Sequence, residues 1–486
     1  LGKNMATYSV HVKWGKEKFD NVEVNTAEPP ELFQAQLFAL SGVPIQRQKI
    51  MGKGKTLKND SWDGFTLKDG MTLLMMGSNE LVPTPQLGTK FIEDMSSTEL
   101  NKASSFPAGL TNLGNTCYMN ATIQCLKNVP ELKQALERYD GKLNIGSIMS
   151  MPSDAITISL RDLYNVMNKT SAAVPPIMFL QVLHAVFPHF AEKSEQGGFM
   201  QQDANECWTQ LIRMLQQRLP PLKTDSDSNL HKSSFIDQYF GISFKTVLKC
   251  DETDLEAETT LTEHFYQLSC FISQDIKYLN SGLKSRLKET ITKASPVLGK
   301  DALYTKSSLI SRLPAYLTIQ FVRFFYKEKE KVNAKILKDI KFPMTLDVFE
   351  LCSSELQEKL KPMRDKFKEE EDKRANEKLL QISIAANNKK LPFEFSDDIG
   401  SNNSGYYELS AVLTHRGRSS SSGHYVAWIR KQEGLDEWLM CDDDNVYAVT
   451  SEDILKLSGG GDWHCAYVLL YSPKSLIVAD EKNDHH

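Results

Sequence analysis

A polar stretch in the N-terminal part of the chain divides the sequence into two regions that must build separate cores. Residues 78–105 are rich in Ser, Thr, Pro and Glu and have no sustained apolar period, which is typical of a linker. The chain has 486 residues, and a single domain usually holds ~150. We therefore predict a small domain over residues 5–77, a linker over 78–105 and a large domain over 106–475, with mobile insertions near 217–234 and 353–400.

Composition excludes several classes of protein. The net charge is -5 with both signs mixed along the chain, which argues against a nucleic-acid surface. No apolar run approaches the ~20 residues that a membrane helix needs, and nothing resembles a signal peptide. The eight cysteines include no CxxC pair, so neither a disulfide framework nor a four-cysteine zinc site is predicted. We expect a reducing compartment, cytoplasmic or nuclear, and no cofactor.

The small domain shows the element order of a β-grasp fold. Apolar and polar residues alternate on both sides of Gly15, and Pro29 and Pro30 open a helix that Gly42 closes. The predicted elements are, in order, a hairpin of Tyr8–Trp14 and Asn21–Val24, a helix from Pro30, and strands near Lys49–Met51 and Met71–Met75.

The segment GLTNLGNTCYMNATIQC, residues 109–125, carries a candidate nucleophile. Apolar residues recur at helical spacing after Cys117, so this thiol lies at a predicted helix start. Unpaired N–H groups and the helix dipole stabilise a thiolate at that position. The side-chain amide of Asn112 and the N–H of Cys117 could together bind the oxyanion of a tetrahedral intermediate. The alternative is an ordinary buried cysteine whose helix is capped by Asn115 or Thr116.

The large domain begins with predicted helices and continues with predicted strands, which indicates an α+β fold with a cleft where the two halves meet. A segment dense in Lys and Glu, Glu355–Lys378, is either a solvated helix or a disordered insertion. Residues 216–234 are polar and are predicted to form a mobile loop. The candidate helices are Ala155–Asn168, Ile177–Phe187 and a third from Gln201, and the candidate strands are Ile242–Lys249, Tyr316–Phe324, Tyr406–Thr414, Tyr425–Arg430, Glu437–Cys441 and Ala466–Tyr471.

Two segments of the C-terminal half could complete the chemistry of Cys117. In YYELSAVLTHRGRSSSSGHYVAWIR, His424 opens a strand after a Gly and Ser loop, and in EWLMCDDDNVYAVT, Asp442 follows a short apolar strand. A histidine there can accept the thiol proton, while a carboxylate fixes its tautomer and orientation. His415 is a rival base in the same segment, and the Asp run is equally compatible with a calcium-like or plain turn cluster.

Four motifs together resemble one enzyme family. GLTNLGNTCYMNATIQC is similar to the cysteine box of the ubiquitin-specific proteases, and YELSAVLTHRGRSSSSGHYVAW with EWLMCDDDNV is similar to their histidine box. QQDANEC and the closing AYVLLY also match. The resemblance implies a distantly papain-like catalytic domain of fingers, palm and thumb. It implies Cys117 as nucleophile, His424 as base, Asp442 as its orienter and Asn112 as oxyanion donor.

The same resemblance implies the substrate and its contacts. The enzyme would hydrolyse the isopeptide bond at the C-terminal glycine of ubiquitin on ubiquitinated proteins, through a thioester. Many relatives bind zinc in the fingers through two CxxC pairs, whereas this chain offers lone Cys250 and Cys270, so no metal is expected. A catalytically silent ubiquitin-binding adaptor and an isopeptidase for another ubiquitin-like modifier are the rival classes. The candidate ubiquitin-binding residues are Gln201, Gln202, Asp203, His415 and Tyr425; for Asp203, surface helix charge is the ordinary alternative.

The small domain resembles ubiquitin in GVPIQRQKIMGKGKTL and TLKDGMTLLMMGS. The second stretch ends at Met76, Gly77 and Ser78 without a free diglycine tail, so this domain cannot be conjugated and is more plausibly a docking module. With it, the chain resembles the proteasome-associated members of the family, which implies docking to the 26S proteasome regulatory particle. A solubilising appendage is the alternative.

Two segments could regulate access to the predicted site. Arg418 to Ser422 lies between Gly417 and Gly423, immediately before His424, and is predicted to be a loop with hinge-like ends. A second predicted flap, Phe324–Asn333, begins with aromatic residues, which a charged run follows. Phosphate on Ser420 or Ser421 would oppose closure. The alternative is that both segments are plain surface connections. The candidate gating residues are Phe324, Phe325, Tyr326, Arg418, Ser419, Ser420, Ser421 and Ser422.

Overall fold

The computed structural model separates the chain into two compact units, Leu1–Asp94 and Met95–His486. It describes residues 7–58, 61–77, 106–144, 146, 148–195, 197–222, 234–327, 332–379, 388–419, 422–431, 436–461 and 463–479. The predicted linker over residues 78–105 lies outside these ranges. No helix in the described part of the chain combines the length and the apolar character that crossing a membrane requires.

The first unit is a five-stranded sheet with one helix, in the strand order β2-β1-β5-β3-β4. Strands β1 and β5 are parallel and the other neighbours antiparallel. Gly42 ends the helix in the left-handed conformation, at φ 73°, as the sequence predicts. The β-grasp prediction is confirmed. The elements are β1 (Thr7–Trp14), β2 (Glu17–Asn25), α1 (Pro30–Ser41), β3 (Lys49–Gly52), β4 (Lys55–Thr56) and β5 (Thr72–Met76), with a 3-10 turn at Ile45–Arg47.

The second unit places most of its helices before its strands, which confirms the α+β class. Its described helices are α2 (Cys117–Lys127), α3 (Pro130–Glu137), α4 (Pro152–Met167), α5 (Ile177–Val186), α6 (Ala204–Arg218), α7 (Phe235–Tyr239), α8 (Leu279–Lys284), α9 (Ser354–Leu379) and α10 (Ser451–Leu455). Short 3-10 turns lie at Pro188–Ala191, Phe349–Leu351 and Lys456–Ser458.

The strands of this unit form two main sheets. One has the order β19-β18-β17-β16-β20-β11-β8, with β14 added beside β16, and the other has the order β7-β6-β10-β9. Two separate antiparallel pairs, β12 with β13 and β15 with β21, complete the set. The strands are β6 (Ile242–Cys250), β7 (Thr259–Phe265), β8 (Leu268–Phe271), β9 (Lys288–Ser295), β10 (Lys300–Arg312), β11 (Leu317–Val322), β12 (Phe324–Lys327), β13 (Val332–Lys335), β14 (Thr345–Asp347), β15 (Asn388–Lys390), β16 (Tyr406–Ser419), β17 (Ser422–Arg430), β18 (Trp438–Asp442), β19 (Asn445–Val449), β20 (Cys465–Pro473) and β21 (Ile477–Ala479).

The larger sheet divides the apolar interior into two cores, because side chains alternate between its faces. Leu413 and Ala427 join the core that contains α2, α4, α5 and α6. Val412 and Trp428 join the second core, with β11 and the start of α9. Helix α2, which begins at Cys117, is buried against β17, with almost every side chain inaccessible to solvent.

Several predicted segments differ from the structure. Glu355–Lys378 takes the helical alternative as part of α9. Helix α6 ends at Arg218 and so includes the first residues of the predicted polar loop over residues 216–234. Strands β7, β9 and β10 were not predicted from the sequence. Strands β7 and β9 are mostly exposed, and β10 is only partly buried along its middle.

The predicted loop Arg418 to Ser422 is wrong in part. Arg418 and Ser419 belong to β16 and Ser422 begins β17, with Ser419 paired to Ser422. Gly423 permits this continuation, since it has φ 120° and a Cβ atom there would lie 2.2 Å from the carbonyl oxygen of Arg416. Residues 420 and 421 lie outside the described residues.

Candidate active site

Cys117 is the first residue of α2, as predicted. Oδ1 of Asn112 accepts hydrogen bonds from the N–H groups of Gly114 and Thr116, at 2.9 and 3.3 Å, and so bends the chain into the helix. Thr116 is the N-cap residue, but its side chain makes no capping hydrogen bond. The positive end of the helix is therefore directed at the sulfur without a side-chain cap to satisfy it.

His424 and Asp442 meet at the ends of neighbouring strands β17 and β18. Nε2 of His424 lies 2.6 Å from Oδ1 of Asp442. The hydrogen bond to Asp442, followed by the contact with the Cys117 thiol, raises the pKa of His424 to about 10. The same hydrogen bond lowers the pKa of Asp442. The structure thus brings together the three residues that the sequence assigns to nucleophile, base and orienter.

The Cys117 sulfur has two further polar neighbours. Nε2 of Gln201 lies 3.2 Å from Sγ, and the backbone N–H of Tyr425 points to Sγ at 3.5 Å. Gln201 is the predicted ubiquitin contact that comes just before α6, and Tyr425 follows His424 in β17. Both donors face the atom that must carry negative charge in a thiolate.

Asn112 directs its amide nitrogen to a carboxylate that the sequence reading left unassigned. Nδ2 of Asn112 donates to Oδ2 of Asp443 at 2.8 Å, and Nδ2 of Asn120 donates to Oδ1 of Asp443 at 2.8 Å. Asp443 adopts the left-handed conformation with φ 48°, and burial raises its pKa. The role of Asn112 as oxyanion donor stays a prediction, and this structure commits one of its two amide hydrogens to Asp443.

A second histidine lies in an aromatic cluster beside this polar group. His415 is 0% exposed, and its ring lies 4.7 Å from Tyr425 and 5.2 Å from Phe324. Tyr467 packs 5.1 Å from Phe324. Burial, followed by the charge of Lys335, lowers the pKa of His415 to about 3. His415 is therefore a neutral part of the interior, which makes it unsuitable as the base.

The remaining predicted ubiquitin contacts lie at the start of α6. Asp203 is the N-cap of this helix, accepting from the N–H groups of Asn205 and Glu206, and it also accepts from the hydroxyl of Tyr467 at 2.7 Å. Gln202 is half-buried next to it. The carboxylate of Asp203 thus has structural partners, and its contact with ubiquitin stays a prediction.

The predicted flap is a short hairpin. Phe324, Phe325 and Tyr326 belong to β12, which pairs with β13. Phe324 packs on the aromatic cluster, whereas Phe325 is exposed. The tip, residues 328–331, lies outside the described residues, and the gating role of both segments stays a prediction.

Few potential metal ligands lie close enough together to share an ion in the described part of the chain. Cys250 and Cys270 lie in different apolar clusters. In the described part of the chain, the group of side chains that could share an ion is His424, Asp442 and Asp443, whose ligand atoms lie within 4.8 Å of one another. Two of these three already bond each other, which favours proton transfer over metal binding as the purpose of the cluster.

Sequence reasoning did not foresee three of these relationships: the contact of Gln201 with sulfur, the bridge of Asp443 between two asparagines, and the bond of Tyr467 to Asp203. Each joins residues distant in the chain. The motifs QQDANEC and CDDDNV marked the right segments, but no local pattern says which atoms meet.

Comparison with known proteins agrees with this geometry. Residues 108–471 match the protein family described as ubiquitin carboxyl-terminal hydrolase. The chain is 42% identical over 494 residues to ubiquitin carboxyl-terminal hydrolase 6 of Arabidopsis thaliana, covering 97% of this chain and 100% of that protein. It is 40% identical to ubiquitin carboxyl-terminal hydrolase 14 of Caenorhabditis elegans, covering 96% of this chain and 94% of the relative.

A solved structure shows the same fold. It is described as the SAGA Ubp8/Sgf11/Sus1/Sgf73 DUB module bound to ubiquitin aldehyde, and it aligns with a TM-score of 0.51 at 21% identity. The alignment covers 75% of this chain and 69% of that chain. At this identity the likeness concerns the fold.

Proposed function

The chain belongs to the ubiquitin carboxyl-terminal hydrolase family, and we propose that this thiol-dependent deubiquitinase removes ubiquitin from proteins held at the proteasome, trimming ubiquitin chains and recycling ubiquitin. We place this deubiquitination in the cytoplasm and the nucleus, as part of the same proposal. The observation that carries the proposal is a separate β-grasp unit that precedes the catalytic unit in the sequence.

The catalytic residues would act in two steps. Sγ of Cys117 attacks the carbonyl carbon of the C-terminal glycine of ubiquitin, and the carbon–nitrogen bond to the substrate lysine breaks. His424 gives its proton to the leaving amine, and a thioester remains. In the second step His424 takes a proton from water, which attacks the thioester, releases ubiquitin and restores the sulfur. A pKa of about 10 keeps His424 protonated at neutral pH, which is the form that the first step requires.

The β-grasp unit has an exposed apolar strand that supports a docking role. In β5, Leu73 and Met75 are buried, whereas Leu74 and Met76 on the opposite face are 40% and 48% exposed. Exposed apolar side chains on a sheet face favour a protein partner. The hydrolase reaction itself places no demand on this surface.

The test uses the full-length chain with Leu74→Glu and Met76→Glu combined. A matched control is Leu255→Glu, since Leu255 is an apolar side chain of the catalytic unit that is 86% exposed. Purified 26S proteasomes should retain the unaltered chain and the control, but should lose the double variant. Hydrolysis of a fluorogenic ubiquitin amide should be equal in all three.

Retention of the double variant would contradict docking through this face. A further arm removes residues 5–77 altogether, and retention of that chain would place proteasome binding outside the β-grasp unit. Loss of binding accompanied by loss of basal hydrolysis would instead indicate damage to the fold.

A further inference from the structure

The geometry points to an additional catalytic residue. We propose that Gln201 donates its side-chain N–H to the Cys117 sulfur and stabilises the thiolate that attacks ubiquitin. Nε2 of Gln201 lies 3.2 Å from Sγ, whereas Oε1 lies 3.7 Å from Sγ, so the donor end of the amide is the nearer one.

Gln201 is held firmly enough to act in this way. Gln201 is only 8% exposed, and it lies two positions before Asp203. The Asp203 carboxylate caps α6 and is bonded to the Tyr467 hydroxyl, which fixes the backbone on that side of Gln201. A buried hydrogen bond to a charged group stabilises more than one between neutral groups.

The second amide near the nucleophile has other partners. Asn112 gives Nδ2 to Asp443 and uses Oδ1 to bend the loop before α2. Gln201 is therefore the described side-chain amide that donates to Sγ, and the N–H of Tyr425 adds a backbone donor at 3.5 Å. Together these two N–H groups direct partial positive charge at the Cys117 sulfur while His424 is protonated.

This role of Gln201 can be distinguished from a simple contact with ubiquitin, because a donor to the thiolate acts before ubiquitin binds. Cys117 should then react with a small alkylating agent at a rate that depends on Gln201. This dependence can be measured on the free enzyme, without ubiquitin and without proteasomes.

The experiment measures alkylation of Cys117 by iodoacetamide, followed by mass spectrometry of the peptide that contains it. Gln201→Leu keeps a side chain of similar size without the donor, and Gln201→Glu replaces the donor by a negative charge. The matched control is Gln217→Leu, the same change at an exposed position of α6. Near neutral pH, the rate should fall about tenfold in Gln201→Leu, fall further in Gln201→Glu and stay unchanged in the control.

Two further readouts separate this role from steric or structural effects. At high pH the alkylation rates should converge, because a thiol then reacts as its thiolate without help from a donor. With a fluorogenic ubiquitin substrate, kcat should fall while KM changes little. If Gln201→Leu does not fold, as judged by its thermal unfolding, Gln201→Asn provides the same test, since the shorter amide does not reach the sulfur.

Unchanged alkylation with a raised KM would overturn the proposal and make Gln201 a ubiquitin contact alone. Faster alkylation would also overturn it, because Gln201 would then shield the sulfur. A rate difference that persists at high pH would show a steric effect of the substitution and count against the donor role.

Discussion

Two histidines lie on the paired strands β16 and β17, yet their pKa values are shifted in opposite directions. His424 in β17 is half-buried and bonded to the carboxylate of Asp442, with its pKa raised to about 10. His415 in β16 is buried among aromatic rings, with its pKa lowered to about 3. The two residues differ in neighbours rather than in type.

The comparison shows that a base is made by its surroundings. A carboxylate at hydrogen-bond distance stabilises the imidazolium of His424, whereas desolvation and Lys335 destabilise the imidazolium of His415. Near neutral pH one ring carries a transferable proton and the other is neutral packing material. A variant of each residue should therefore have a very different consequence.

The largest expected effect is on turnover. His424→Ala and Cys117→Ala should each lower kcat by at least about 10⁴-fold, since each removes a member of the reacting set. His415→Ala should lower kcat by less than about tenfold, because its ring exchanges no proton. Hydrolysis of a fluorogenic ubiquitin amide provides the measurement. Similar losses from the two histidine variants would break the comparison.

A covalent probe checks the same assignment at the sulfur. Ubiquitin carrying a C-terminal electrophile should form one adduct, and that adduct should vanish in Cys117→Ala. Labelling at any of the other cysteines, which are buried, would contradict the choice of nucleophile.

A smaller effect is expected from Asp442→Asn. The amide keeps the shape of the carboxylate but loses the charge that stabilises the His424 imidazolium, so kcat should fall by about 10²- to 10⁴-fold. The pKa of His424 should also fall, which an NMR titration of the ring would show. An unchanged pKa would mean that Asp442 is not the main cause of the shift.

The smallest effect concerns stability in acid. The pKa of His415 is lowered from 6.5 to about 3, so between these values the unfolded chain binds a proton that the folded chain excludes. Stability should therefore fall as the pH decreases through this window, by up to ~1.4 kcal/mol per pH unit for each such group. His464, with a pKa of about 4, acts in the same direction. The raised pKa of His424 has its influence above pH 6.5, where stability falls as the pH rises towards 10.

His415→Phe removes one titrating ring and keeps an aromatic side chain in the cluster. Thermal unfolding between pH 4 and pH 6.5 should show a shallower loss of stability in this variant than in the unaltered chain. An identical slope would mean that His415 becomes protonated in the folded state.

Local sequence was sufficient for much of the fold and of the site. Helical spacing after Cys117 and the glycine after the Pro30 helix predicted both helix ends, because helix boundaries depend on nearby residues. Strands β7, β9 and β10 were missed, since β7 and β9 carry few apolar residues and are mostly exposed, and β10 is only partly buried along its middle. The Arg418 to Ser422 segment was read as a loop because its glycines and serines favour turns.

The sequence by itself predicted the candidate reactive side chains and their order: Cys117 at a helix start, His424 at a strand opening and Asp442 after a strand. Tertiary structure decided which partner each one has. It paired His424 with Asp442, buried His415, gave the amide of Asn112 to Asp443 and brought Gln201 to the sulfur. The physical reason is that pKa values and hydrogen bonds depend on distance and burial in space, and those are fixed only when separate segments of the chain pack together.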